Sequence, residues 1–295
     1  MSGVNSLRTP GRGFTLVELM VVIAIIGTLI AMLVGGLGPA IEMAQNVQCQ
    51  TNLRAISAAV INYATDYKGA IPPTRYTGSS GLYWCNFLVR GGYLPGEDTS
   101  RLDPNTASAP SGVLRCPGEN GGMVGIDEAI GLPATFSGDD KAQGVARLGS
   151  SVFKVDCSYY WNGYAGNTSG EPDSSGSGAS WTDRFPSCVV NPAATPDKKA
   201  RVVHDISEIR QRTVTAMVAD GVLFDARSKA NRGRIAARHT GDGGKRSMTN
   251  IAFYDGHVEG IQRAPGDDYL YTSDAIQSSQ DLDLGGSPLF MLPKR

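Results

Sequence analysis

His239, Asp255 and His257 offer two imidazoles and a carboxylate that could ligate a metal, with His204, Asp205 and Asp220 as looser additions. Zinc prefers four such donors in a tetrahedron, and the chain has neither an HExxH helix nor a paired-cysteine motif. Calcium is the better fit for carboxylates outside a cell. Asp220 and Asp255 are the calcium candidates, with Asp242, Asp267 and Asp268 as further oxygen donors, although no EF-hand spacing appears. No other cofactor is expected. Five cysteines, Cys49, Cys85, Cys116, Cys157 and Cys188, are spread widely and form no CxxC. That spread suits disulfides in an oxidising compartment, and an odd number leaves at least one thiol free or paired between chains. Catalysis has less to stand on. There is no GxSxG elbow, and "GDGGKRS" at Gly241–Ser247 fails as a phosphate loop. The first glycine of that motif would fall on His239, and Arg246 stands where Ser or Thr should follow Lys245. The chain is therefore not expected to be an enzyme. A net charge of −1 provides no bulk positive field for nucleic acid.

One carboxylate stands apart from these. Between Phe14 and Ile41 the only charged residue is Glu18, and Leu19–Val34 is almost wholly Leu, Val, Ile, Met and Ala. A run of about 20 apolar residues spans a bilayer as a helix. Arg8 and Arg12 precede it, so the positive-inside bias places the N-terminus in the cytoplasm and the rest outside. Only 19% of residues are charged, which fits a partly membrane-buried chain. A cleaved secretory signal would end in a small-residue site, whereas this run ends in GGLGP. A plain signal anchor explains the apolar run but not Glu18. A carboxylate at that depth needs a partner. No Lys or Arg lies one helical turn away, so such a partner is not expected locally, and simple tolerance of the carboxylate at the membrane interface is the alternative.

Gly13-Phe14-Thr15-Leu16-Val17-Glu18, after a basic leader and before an apolar helix, resembles the class III signal of type IV pilins and type II secretion pseudopilins. The resemblance implies cleavage after Gly13 by a prepilin peptidase, N-methylation of Phe14, and pairing of Glu18 with the positive N-terminus of a neighbouring subunit. It implies further partners: other pilin or pseudopilin subunits, an inner-membrane assembly platform and membrane lipid, but no nucleic acid. The expected location is the inner membrane, single-pass, with the globular part periplasmic or extracellular and a filament after assembly. A membrane-anchored extracytoplasmic binding protein that never polymerises is the competing class.

The elements that position these residues follow from period and punctuation. Gly38 and Pro39 interrupt the apolar run, as either a helix end at the membrane surface or a kink. Beyond them Cys49, Leu53, Ile56, Val60, Tyr63 and Tyr67 mark one face of an amphipathic helix. Gly69 is the expected stop, and Pro72-Pro73 bars continuation. A helix over residues 14–68 would reach roughly 80 Å. "CQTNLRAISAAVINYATDYKGAIPP" is similar to the segment after the anchor in large pilin-like families of planctomycetes, with their Cys-x-x-Asn-Leu helix. "RCPG" at Arg115–Gly118 and "HTGDGGKRSMTNIAFYDGHV" from His239 to Val258 resemble the same families, which end in His, nine residues and Asp-Gly-His-Val. Here fifteen residues separate His239 from Asp255.

Residues 70–262 lack a helical period and read as strands and loops. Strands are expected at Lys154–Trp161, Arg212–Val218 and Asn250–Tyr254, the last entering a two-residue turn at Asp255-Gly256. Leu82–Val89 reads as strand or short helix, and Asn162–Ser187 and Asn191–Lys199 as loops. The expected fold class is α+β and pilin-like, a long helix on an antiparallel sheet. Its parts are a leader (1–13), a membrane helix (14–41), an amphipathic continuation (42–68), a β-rich domain (69–262) and a polar tail (263–295).

Overall fold

The computed structural model describes residues 13–76, 82–96, 112–118, 123–124, 126–127, 132–133, 145–149, 153–162, 189–190, 205–221, 238–240 and 246–262. Outside them lie the leader before Gly13, nearly all of the loop expected at 162–187, the connector at 191–199 and the tail at 263–295. Cys188, His204, Asp242, Asp267 and Asp268 also fall outside. The fold is mixed α/β, and it divides into two compact units between Glu42 and Met43.

Helix α1 (Leu16–Asp66) contributes to both units over its 51 residues. In the first unit the window Leu16–Leu33 has a mean hydropathy of 2.7 and none of it is buried. Side chains on every side of the helix are bare, among them Leu16, Ile23, Leu29 and Met32. α1 passes through Gly38 and Pro39 unbroken, so the helix end weighed at that point does not occur. Pro39 has no N–H to donate, which leaves this turn the least secured.

In the second unit Cys49, Leu53, Ile56, Val60 and Tyr63 are buried together in one core, as a 3.6-residue period requires. Tyr67 departs from the expected stripe. It is exposed, and its ring stacks on Tyr63 at 4.3 Å. The helix stops in a Schellman-type cap. The Gly69 N–H donates to Ala64 O at 2.6 Å while Lys68 and Gly69 hold φ of 56° and 95°. Gly69 O then accepts from Ile206 N at 2.8 Å. A Cβ on Gly69 would run into the Asp205 carboxylate. Gly69→Ala is expected to cost about 1–3 kcal/mol through strain and clash. A denaturation midpoint equal to wild type would contradict this.

Next come β1 (Arg75–Tyr76), β2 (Leu82–Tyr83) and α2 (Trp84–Arg90), then β3 (Met123–Val124), β4 (Ile126–Asp127), β5 (Leu132–Pro133) and β6 (Val145–Gly149). β7 (Lys154–Cys157), β8 (Tyr159–Trp161), β9 (Val189–Val190), β10 (Ala216–Asp220), β11 (His239–Thr240), β12 (Arg246–Phe253) and β13 (Val258–Gln262) complete the order. Leu82–Val89 thus contains a two-residue strand followed by a helix. The Lys154–Trp161 run splits at Ser158, whose N–H donates to Leu114 O at 2.8 Å. β7 joins β6 and β3, whereas β8 joins the main sheet. β10 starts later than Arg212, because the Val214 and Thr215 N–H groups both donate to Gln211 O in a turn.

The main sheet has five strands, in the order β11-β12-β10-β8 with β13 also paired to β12. β13 and β10 both pair with Ile251 and Ala252, so they take opposite edges of β12. β11 and β13 both pair with Met248, so β11 shares the β10 edge. β10 and β11 therefore lie end to end along β12. The β12–β13 hairpin turns through three residues rather than the expected two. Phe253 N donates to His257 O and Gly256 N to Phe253 O, with Gly256 at φ 94°. That is the three-residue loop whose last position favours glycine.

Candidate functional site

Two groups of chemically active residues are described, one in each unit. At the start of α1, Thr15 and Glu18 bond reciprocally. The Thr15 N–H and hydroxyl both donate to Glu18 Oε2, at 2.9 and 2.8 Å, and the Glu18 N–H donates to Thr15 Oγ1 at 3.2 Å. This is a capping box, which satisfies helix N–H groups that have no partner in the preceding turn. The expectation that Glu18 has no local partner is therefore corrected: it has Thr15. A threonine followed three residues later by glutamate, ahead of an apolar run, is itself the signal that was overlooked. Phe14 is 78% exposed, and a Cβ on Gly13 would meet nothing within 4 Å. Among the described residues nothing requires glycine there.

In the second unit, Cys49, Cys116, Asp220 and His239 converge, with one potential ligand atom from each lying within 4.8 Å of all the others. Their exposures are 0, 0, 0 and 2%. Each comes from a different element. Cys49 lies on the buried stripe of α1, and Cys116 in the loop 112–118. Asp220 ends β10, and His239 begins β11. The end-to-end seating of β10 and β11 on β12 makes Asp220 and His239 neighbours, although sixteen residues between them lie outside the described ones (222–237). A register shift between His239 and Thr240 marks a bulge beside the histidine, a device that re-aims side chains at sites.

His239 Nε2 lies 3.3 Å from Asp220 Oδ2 and 3.4 Å from Cys116 Sγ. The Cys49 thiol donates to Asp220 Oδ1 at 2.8 Å, and its sulfur lies 3.5 Å from the Tyr159 hydroxyl. Asn250 N donates to Asp220 Oδ2 at 2.8 Å. Burial drives the Cys49 and Tyr159 protons on more tightly, raising both pKa values. Burial also pushes Cys116 upward, but hydrogen bonds from Cys49 and His239 and the nearby Arg238 charge outweigh it and hold the thiol at about 6. For His239, burial opposes the charged ring, yet bonds to Asp220 and Cys116 raise it to about 9. Asp220 is lowered on balance, because His239 and Arg238 overcome its burial.

Two segments of the chain, residues 49–53 and 115–118, meet here. Within Cys49-x-x-Asn52-Leu53, Cys49 enters the cluster, Leu53 enters the core, and Asn52 Nδ2 donates to Arg115 O at 2.9 Å. That bond ties α1 to the residue next to Cys116. Gly118, ending the "RCPG" stretch, lies against the histidine, and a Cβ there would sit 3.0 Å from His239 Cε1 and 3.2 Å from Arg238 O.

Other candidates do not gather. Asp255 and His257 hydrogen-bond each other in the exposed hairpin turn, where His257 stacks on Phe253. Asp220 faces Asn250, well up the strand from that turn. Asp220 and Asp255 therefore do not share a site, nor does His239 join His257. Asp205 caps the 3-10 helix Ile206–Glu208 by accepting from Ser207 N. The four described cysteines are free thiols in two neighbouring pairs, Cys49 with Cys116 and Cys85 with Cys157.

Residues 10–34 match the family model described as the prokaryotic N-terminal methylation motif. No curated protein and no solved structure matches the chain.

Proposed function

We propose that this chain, which carries at residues 10–34 the N-terminal methylation motif that serves as the class III signal of type IV pilins and pseudopilins, is the precursor of a structural filament subunit. A prepilin peptidase cuts after Gly13 and methylates Phe14. Until assembly, α1 anchors the subunit in the inner membrane with the second unit outside, and the assembly platform then extracts it to stack against other pilin or pseudopilin helices. The observation that carries this reading is the conjunction of the motif with an apolar helix of which no residue in Leu16–Leu33 is buried. Such a surface must be covered, by lipid before assembly and by neighbouring helices after it.

Gly13 supports the processing step, because nothing around it excludes a side chain. A peptidase subsite is then the reason for glycine. Glu18 supports the assembly step. Both Thr15 bonds engage Oε2, and a carboxylate has lone pairs on each oxygen. It can therefore receive the ammonium group of a neighbour's Phe14 without dismantling the cap.

Co-expression with a prepilin peptidase tests the reading. The wild-type chain is expected to lose thirteen residues in a membrane fraction, and Gly13→Leu to persist as precursor. A wild-type chain that stays full length, or a Gly13→Leu chain cut normally, would overturn it.

A further inference from the structure

We propose that Cys49, Cys116, Asp220 and His239 bind one divalent zinc ion, which fastens α1 and the 112–118 loop to the main sheet. The inference does not depend on processing or assembly.

The geometry comes first. A tetrahedral zinc with bonds of about 2.0–2.3 Å places its ligand atoms roughly 3.3–3.8 Å apart. The two approaches of His239 Nε2, 3.3 Å to Asp220 Oδ2 and 3.4 Å to Cys116 Sγ, have that spacing. A single imidazole nitrogen pointing at both an oxygen and a sulfur is also the orientation that metal ligation requires. All four ligand atoms lie within 4.8 Å of one another, and the Cys49 thiol approaches Asp220 Oδ1 more closely, at 2.8 Å. It is held by a thiol proton that leaves on metal binding, so that edge is free to lengthen.

The donor chemistry selects the ion. Two sulfurs, one imidazole and one carboxylate are a borderline-soft set suited to zinc. Calcium and magnesium take oxygen ligands in higher number, which this cluster does not provide. The charges also close. Two thiolates and one carboxylate carry −3, zinc supplies +2, and buried Arg238, close enough to act on both Cys116 and Asp220, supplies +1.

Supporting contacts hold the ligands from outside. Asn250 N–H fixes the Asp220 carboxylate, Asn52 positions the carbonyl before Cys116, and Gly118 allows the loop to lie against the His239 ring. Such outer contacts are a regular feature of metal sites. All four ligands are protein groups buried to 2% exposure or less, so no position remains for substrate and the role is structural. The ligands come from four elements distant in sequence, and the ion would stabilise the folded arrangement because the unfolded chain holds no such site.

The test uses the full chain purified in detergent. Its metal content is measured by inductively coupled plasma mass spectrometry, then again after chelator treatment and reloading with zinc or cobalt. One equivalent of zinc per chain is expected. Cobalt should give tetrahedral d–d bands with a thiolate-to-metal charge-transfer band. Chelation should lower Tm by about 5 °C or more, and zinc should restore it. His239→Ala and Cys116→Ser should lose the ion, His239→Cys should keep it, and Cys85→Ser, outside the cluster, should also keep it. Wild-type measurements alone can overturn the proposal, whatever the variants do to folding. Zinc below about 0.1 equivalent after reloading would do so. So would a Cys49–Cys116 disulfide in peptide maps, together with a Tm indifferent to chelator.

Discussion

Glu18→Leu is expected to leave cleavage after Gly13 intact and to remove the subunit from sheared filaments. Two explanations for Glu18 compete, and they separate experimentally. If its role ends with the Thr15 cap, a neutral acceptor should serve, because glutamine also completes a capping box. If it also neutralises an incoming N-terminus, the charge itself is required. Glu18→Gln keeps the cap and removes the charge, whereas Thr15→Val weakens the cap and keeps the charge. Glu18→Gln is expected to fail like Glu18→Leu, with incorporation falling on the order of tenfold or more, the scale of deleting one partner of a desolvated pair. Thr15→Val should assemble much closer to wild type. Glu18→Gln assembling normally would reduce Glu18 to a helix cap. The chain would then fit a membrane-anchored protein that does not polymerise.

Trp161→Ala should be the most destabilising single change in the second unit. Trp161 and Trp84 are both fully buried, with rings stacked 4.9 Å apart at 15°. Trp84 opens α2 and Trp161 ends β8, so the pair fastens the short helix to the main sheet. Removing a buried indole forfeits its apolar transfer energy and leaves a cavity that a close-packed interior fills poorly. The expected cost is about 3–5 kcal/mol, a fall in Tm of roughly 6–20 °C for a domain of this size. Trp161→Phe, which retains much of the stack, should cost far less. Thermal or denaturant melting would decide, and a Trp161→Ala loss below about 1 kcal/mol would contradict the packing described.

What could be read in advance was what repeats over short distances. The α1 stripe from Cys49 to Tyr63 was legible because helical period and burial coincide. The β12–β13 hairpin was legible from Asp255-Gly256, although its third loop residue depends on the Phe253–His257 pairing. The Thr213-Val214-Thr215 run invited an early start for β10, but its N–H groups close a turn on Gln211 O. The Thr15–Glu18 cap is legible as a threonine followed three residues later by a glutamate, although an opposite charge alone does not point to it. Of the buried cluster, His239 and Asp220 were legible as candidates, whereas their meeting with Cys49 and Cys116 was not. Its four ligands share no short spacing, and their meeting depends on β10 and β11 lying end to end on β12. Proximity along the chain pointed instead to His257 and Asp255, which the hairpin holds at its exposed turn.

The mature N-terminus of the chain separates a processed filament subunit from an unprocessed membrane protein. The protein should be purified from the cell envelope that makes it, digested, and its N-terminal peptide sequenced by tandem mass spectrometry. The expected peptide begins at Phe14 with one added methyl group on its amino nitrogen. A peptide beginning at Met1, or an unmodified start at any other residue, would contradict processing as a filament subunit.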